Sequence, residues 1–106
     1  MLENSLWQRY NETKTIRETL SAIYGCDAVE IGDDEGALYA SLKRHLTKKE
    51  LKLFIMNEAG IAQDEITGAV GIDNEAYELA KHKTYRKIKQ DKIYSEVKTL
   101  RTNQSE

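Results

Sequence analysis

The chain has 106 residues, no proline, six glycines and 32% charged side chains. This length has room for one hydrophobic core but not for two ordinary domains, and the lack of proline favours an all-α fold. Cys26 is the only cysteine, which excludes an intrachain disulfide and a zinc site of several cysteines. We predict that it is a small buried residue.

The net charge of −2 hides an uneven distribution. Residues 1–80 carry 8 Lys and Arg against 15 Asp and Glu, whereas residues 81–106 carry 8 against 3. A basic segment of this kind is typical of contact with nucleic-acid phosphates, and a solvated helix face gives a similar pattern. Residues 1–4 do not resemble the start of a signal peptide, and no apolar run is long enough to span a membrane. We therefore predict a cytoplasmic protein without a membrane partner.

The first predicted helix covers residues 5–24. Its apolar side chains recur at helical spacing, and the sole tryptophan, Trp7, is expected to anchor a core or an interface. Gly25 is expected to end this helix, because glycine is common just after a helix C-terminus. The stripe consists of Leu6, Tyr10, Thr13, Ile16, Leu20 and Ile23.

An acidic segment at residues 27–36 precedes a predicted helix at 35–45. The spacing of its carboxylates does not match a calcium-binding EF-hand loop, so we predict no metal and no cofactor. Its carboxylates are instead expected to favour the start of the next helix. Leu38, Ser41, Leu42 and His45 would lie along one side of that helix.

Three predicted helices follow with clear boundaries. Thr47 and Glu50 have the spacing of a capping box, which begins a wide-faced, mostly buried helix that ends near Gly60. A short helix begins near Asp64, and Gly71 allows a tight turn. Asp73 then caps the third helix.

From residue 74 to about 102 neither glycine nor proline interrupts the chain, so one long helix is predicted. Its second half must pack back on the Trp7 helix or against a second copy, because an isolated helix needs tertiary support in water. Residues 88–100 are therefore a candidate homodimer element. Residues 89–106 are predicted to form the end of this helix and a frayed tail within a single domain, 1–106.

Residues 46–88 resemble the fourth region of bacterial sigma factors, the helix-turn-helix that reads the −35 promoter element. The family pattern "LTxxExxVL" is matched by Leu46, Thr47, Glu50, Leu53 and Phe54. Its pattern "EEIxxxxGVSxExVxxxxxxALRKL" is matched without a gap by Asp64, Glu65, Ile66, Gly71, Ile72, Asp73, Glu75 and the run from Lys83 to Ile88. The resemblance implies a bacterial helix-turn-helix, with residues 1–45 as a helical extension that does not resemble the promoter-melting sigma domain.

The chain departs from the family at positions that contact DNA. Where the family has arginines and a glutamine at the start of the recognition helix, this chain has Asn74, Ala76, Glu78 and Leu79, and the family's phosphate-contacting Arg of the first helix is replaced by Asn57. Glutamate can still accept a hydrogen bond from cytosine, and asparagine can pair with adenine. The candidate DNA-binding residues are Asn74, Glu75, Glu78, Leu79, Lys81, His82, Lys83, Arg86 and Lys87.

Two functions are compatible with these patterns. The first is a small helix-turn-helix regulator of transcription that binds DNA. The alternative is a protein-interaction module that has lost DNA binding and docks on RNA polymerase, a sigma factor or another partner. An enzyme is not expected, because His45, His82 and Cys26 form no recognisable catalytic or metal-binding set.

Overall fold

A computed structural model describes the backbone of residues 5–102 and the side chains of residues 6–98, and within this range the chain is all-α, as predicted. The elements are α1 (Ser5–Tyr10), α2 (Ile16–Tyr24), a short 3-10 helix (Ala28–Glu30), α3 (Glu35–His45), α4 (Lys48–Glu58), α5 (Gln63–Val70), α6 (Asn74–Lys89) and α7 (Asp91–Thr102). The predicted frayed tail at 103–106 lies outside the described residues.

The prediction of one helix over residues 5–24 was wrong, because the chain turns between α1 and α2. Thr15 starts α2 through a capping box: its hydroxyl accepts the Glu18 N–H at 3.0 Å, and the Glu18 carboxylate accepts the Thr15 N–H at 3.2 Å. The buried Asn11 side chain donates to the Ile55 carbonyl at 3.3 Å. Trp7, only 2% exposed, donates to the Lys14 carbonyl at 2.8 Å and is a core anchor, as predicted.

The acidic loop caps two helices. Asp34 accepts the Ala37 N–H at 3.1 Å and so begins α3, whose bounds match the prediction. The Glu35 carboxylate accepts the N–H groups of Ile16 and Arg17, at 2.8 and 3.2 Å, at the start of α2. Carboxylates placed at helix N-termini interact favourably with the helix dipole, so this loop joins the N-termini of α2 and α3.

Helices α4, α5 and α6 pack against one another, and the start of α4, the end of α5 and the start of α6 lie where the sequence predicted. Thr47 and Glu50 form the capping box of α4. Gly71 adopts the left-handed conformation, with φ of 82°, and ends α5. Asp73 accepts the Ala76 N–H at 2.8 Å and begins α6.

Two clusters of buried side chains make up the core. The larger cluster joins α1–α4 to the end of α6 and to α7, and it contains Trp7, Ile16, Leu20, Ile31, Leu38, Tyr39, Leu42, Leu46, Leu51, Phe54, Ile55, Ile88, Ile93 and Val97. The smaller one lies among α4, α5 and α6 and contains Leu53, Met56, Ile66, Val70 and Tyr77. Helix α4 contributes to both, so it connects the α4–α6 unit to the rest of the molecule.

The predicted long helix from residue 74 is interrupted at Gln90, which has an extended backbone with φ of −68° and ψ of 150°. The break lets α7 fold back onto α3, where Ile93 and Val97 are buried. The Ile88 carbonyl accepts the Tyr24 hydroxyl at 2.6 Å beside this break. Burial of apolar side chains on α7 thus favours the break at Gln90, although no glycine or proline is present to cause it.

A carboxylate fixes α7 to α3. Glu96 accepts hydrogen bonds from the Ser41 hydroxyl and from Arg44, whose Nη2 lies 2.5 Å from its Oε1, and His45 Nε2 lies 3.4 Å from the same carboxylate. The hydrogen bond from Ser41, followed by those from Arg44 and His45, holds the pKa of Glu96 below its usual value although burial opposes this shift.

These contacts bear on the candidate dimer element. Ile88, Ile93 and Val97 are at most 1% exposed within one chain, so they are already covered by α2, α3 and α6 of the same molecule. The Leu100 side chain lies outside the described residues. Homodimerisation remains a prediction, but the apolar side chains that suggested it are buried within one chain.

Candidate nucleic-acid interface

All nine candidate DNA-binding residues lie on α6. This helix buries Tyr77, Thr84 and Ile88 on its inner side. Seven of the nine are exposed on the outer side, namely Asn74, Glu75, Glu78, Leu79, His82, Lys83 and Arg86, while Lys81 and Lys87 are half-buried. Leu79 is 72% exposed.

The charge of this outer face changes along the helix. Its first half carries Glu75 and Glu78, and the neighbouring helix α5 exposes Asp64 and Glu65. Its second half is basic, and a surface depression of about 400 Å³ there is lined by Leu79, His82, Lys83, Arg86, Lys87 and Gln90. An anionic partner therefore meets attraction only at the carboxyl-terminal half of α6.

Three of the candidate residues already have partners inside the chain. Asn74 accepts a hydrogen bond from Gln63 at 3.3 Å. The Lys81 ammonium lies 5.5 Å from the centre of the Tyr77 ring. The Lys87 ammonium lies 2.9 Å from Glu50 Oε1. Lys83 and Arg86, by contrast, make no ion pair with any residue in the described part of the chain.

The Glu50 and Lys87 pair connects α4 to α6. Burial favours a higher pKa for Glu50, but hydrogen bonds from the Thr47 N–H and from Lys87 outweigh it, so the Glu50 pKa lies below its ordinary value. The carboxylate is therefore ionised at neutral pH and cancels the charge of Lys87 locally. This pair is a structural contact between two helices, so among the candidate residues Lys83 and Arg86 are the exposed cations that make no ion pair with the described residues.

The structure adds one residue that the sequence argument missed. Lys49 is exposed in the first turn of α4 and lines, together with Lys83, a cleft of about 260 Å³. Its position two residues after the Thr47 cap was a usable signal, because the first turn of α4 lies beside α6 in the folded unit. We call Lys49, Lys83, Arg86 and Lys87 the basic patch.

Asn57 does not take the place of a surface arginine, because its side chain points into the α4–α6 unit. Its Oδ1 accepts the Tyr77 hydroxyl at 3.1 Å, and its Nδ2 donates to the Tyr85 hydroxyl at 2.9 Å. The Tyr85 hydroxyl donates in turn to Glu58, which also accepts Lys14 Nζ at 3.0 Å. Burial, reinforced by the hydrogen bond to Glu58, raises the pKa of Tyr85.

The two histidines and the cysteine do not come together in the structure. His45 faces Glu96 on α7, whereas His82 lies on the outer face of α6. Cys26 is partly exposed beside the larger cluster and is not the fully buried residue that was predicted. Burial, and then the nearby Glu30, raise its pKa. Within residues 5–102 no three His, Cys, Asp or Glu side chains are arranged to hold a metal ion.

Comparisons with known proteins found no matching family model, no matching curated protein and no matching solved structure. Among the helices in the described range, none combines the length and the apolar character needed to cross a membrane.

Proposed function

We propose that this chain is a small, cytoplasmic, transcription-associated regulator that binds DNA through a helix-turn-helix formed by α4, α5 and α6. The observation that carries the proposal is the basic patch. It lies on the exposed side of α6 and the first turn of α4, and three of its cations, Lys49, Lys83 and Arg86, form no ion pair among the described residues. The relation to sigma factor region four is part of this proposal.

The acidic first half and basic second half of α6 suggest how this helix would bind a DNA duplex. Phosphate contacts supply most of the affinity and fix the position of such a helix, while base contacts supply specificity. Lys83 and Arg86 would take the phosphates. Glu75, in the first turn of α6, is left to accept a hydrogen bond from a cytosine amino group, and Leu79 to contact a thymine methyl group.

The test is binding of the full chain to mixed-sequence duplex DNA across a salt series. Each phosphate contact adds about 0.9 to the slope of log affinity against log salt. The variant Lys83→Ala with Arg86→Ala should therefore lower that slope by about 1.8. It spares Lys81 and Lys87, which have structural contacts.

A matched control is Arg9→Ala with Lys43→Ala, which removes the same charge from exposed positions on α1 and α3. It should leave the salt slope unchanged. If native protein does not bind DNA even at low salt, or if both variants lose affinity equally, the basic patch is not a DNA-binding surface.

A second function is favoured by a separate observation, the acidic first half of α6. Glu75 and Glu78 are exposed, and neither pairs with a basic side chain in the described range, so they would repel phosphates on both sides of a groove. In this alternative the chain is a protein-interaction module that docks on RNA polymerase, a sigma factor or another partner. Two results together would favour it. The chain would show no salt-dependent DNA binding, and it would co-purify with polymerase unless Glu75→Lys and Glu78→Lys were introduced together.

A further inference from the structure

The cleft of about 260 Å³ between α4, the end of α5 and α6 has an apolar floor. Leu53, Val70, Ile72 and Ala80 line it. Thr47 and Thr84 also line the cleft, but their hydroxyls are engaged within the chain: Thr84 donates to the Ala80 carbonyl at 2.8 Å, and Thr47 accepts the Glu50 N–H at 3.1 Å. The floor therefore offers a ligand mainly apolar contact, which suits a ligand with an apolar body.

The mouth of the same cleft is positively charged. The exposed Lys49 and Lys83 line it from two different helices. Glu50 also lines it, but its carboxylate is held by Lys87 at 2.9 Å and by the Thr47 N–H at 2.9 Å, so this pair adds no net charge. An anionic group at the mouth would meet two ammonium groups without an opposing free carboxylate.

We infer that this cleft binds a small amphipathic carboxylate, in which an apolar chain or ring ends in one anionic group. The volume lies just below the roughly 300 Å³ at which drug-sized sites begin, which fits a molecule of medium-chain length. The apolar body is removed from water by the floor, and the carboxylate lies between Lys49 and Lys83. This inference does not depend on DNA binding and is tested without DNA.

A second cleft, of about 350 Å³, has a similar composition and serves as the internal comparison. It is lined by Leu6, Leu46 and Leu51 with Lys43 and Lys52 at its edge.

The experiment is a titration of the ¹⁵N-labelled full chain with octanoate and, separately, with 1-octanol, followed by amide chemical shifts. Octanoate should shift the amides of Val70, Ile72 and Ala80 with saturation, and 1-octanol should bind more weakly because it lacks the charge. Lys49→Ala with Lys83→Ala should weaken octanoate binding about tenfold, since each exposed ion pair contributes a factor of a few.

Lys43→Ala with Lys52→Ala removes equal charge from the second cleft and should leave octanoate binding unchanged. Ala80→Leu keeps every charge but fills the α4–α6 cleft, and it should abolish the saturable shifts. The inference is overturned if octanoate causes no saturable shift, if 1-octanol binds as well as octanoate, if the Lys43 and Lys52 variant is the one that loses binding, or if Ala80→Leu binds normally.

Discussion

Asn57→Ala tests the internal hydrogen-bond network of the α4–α6 unit. The change removes hydrogen bonds to Tyr77 at 3.1 Å and to Tyr85 at 2.9 Å. Each contributes about 1 kcal/mol net, and leaving a buried hydroxyl unpaired costs about 1–3 kcal/mol more. Tyr77 is 3% exposed, so water is a poor substitute partner for its hydroxyl. We expect a loss of about 2–4 kcal/mol in the free energy of unfolding.

Urea unfolding of the full chain is a suitable assay, because Trp7 is the only tryptophan and is 2% exposed in the folded protein. Tyr77→Phe supplies the second arm of a double-mutant cycle. Once Asn57 is alanine, removing the hydroxyl breaks no further hydrogen bond, so the double variant should be less destabilised than the sum of the two single variants by about 1 kcal/mol. Additive effects, or a loss below about 0.5 kcal/mol for Asn57→Ala, would refute the network.

Asn57→Arg extends this prediction to function. It introduces the residue type that the resemblance to sigma region four implies at this position, yet in the structure the Asn57 side chain turns inward toward Tyr77 and Tyr85. We expect the arginine to destabilise the protein, because it separates the two tyrosines from their partner. A gain in DNA affinity without loss of stability would show that the side chain reaches the surface.

Three further predictions concern stability. Glu96→Gln should destabilise the protein at neutral pH, because the lowered pKa of Glu96 stabilises the fold only while the carboxylate is ionised. The deficit should shrink as the pH falls below the ordinary Glu value of 4.5 and vanish once the pH is below the lowered pKa of Glu96 in the folded protein. Urea unfolding at several pH values checks this, and a deficit that persists at low pH contradicts it. Gly71→Ala, at φ of 82°, should cost about 1–2 kcal/mol by thermal unfolding, whereas the same change at Gly68, which has ordinary helical geometry and free space, should not destabilise. Ile93→Ala should lower the free energy of unfolding by about 2–5 kcal/mol, because Ile93 is 1% exposed within one chain. If the stability of the protein instead depended on its concentration, α7 would be a dimer element after all.

The sequence predicted those boundaries that depend on a few neighbouring residues. The capping box at Thr47, the turn at Gly71 and the cap at Asp73 were all correct. Thr15 and Glu18 have the same capping-box spacing as Thr47 and Glu50, so the start of α2 was also readable, but the apolar stripe concealed it. No comparable signal marked the break at Gln90.

The positions of the candidate residues on α6 could be predicted from the sequence, but their partners on other helices could not. Helical spacing correctly placed the nine candidates on one helix, and it separated them from the buried Tyr77, Thr84 and Ile88. It did not show that Lys87 is neutralised by Glu50, which is 37 residues away, or that Lys49 joins Lys83 at one cleft. Charge along a helix is visible in a sequence, whereas its cancellation by another helix is not.

Sequence by itself determined the helical class, the starts of α4 and α6, the turn between α5 and α6, and the acidic and basic parts of the chain. These follow from interactions that reach at most about four residues along a helix. Only the tertiary structure decided where α6 ends and which charges are open to a partner. The end of α6 depends on burial of Ile93 and Val97 against α3, and on the hydrogen bond from Tyr24 to the Ile88 carbonyl, 64 residues apart. Contacts of that separation exist only once the whole chain has folded.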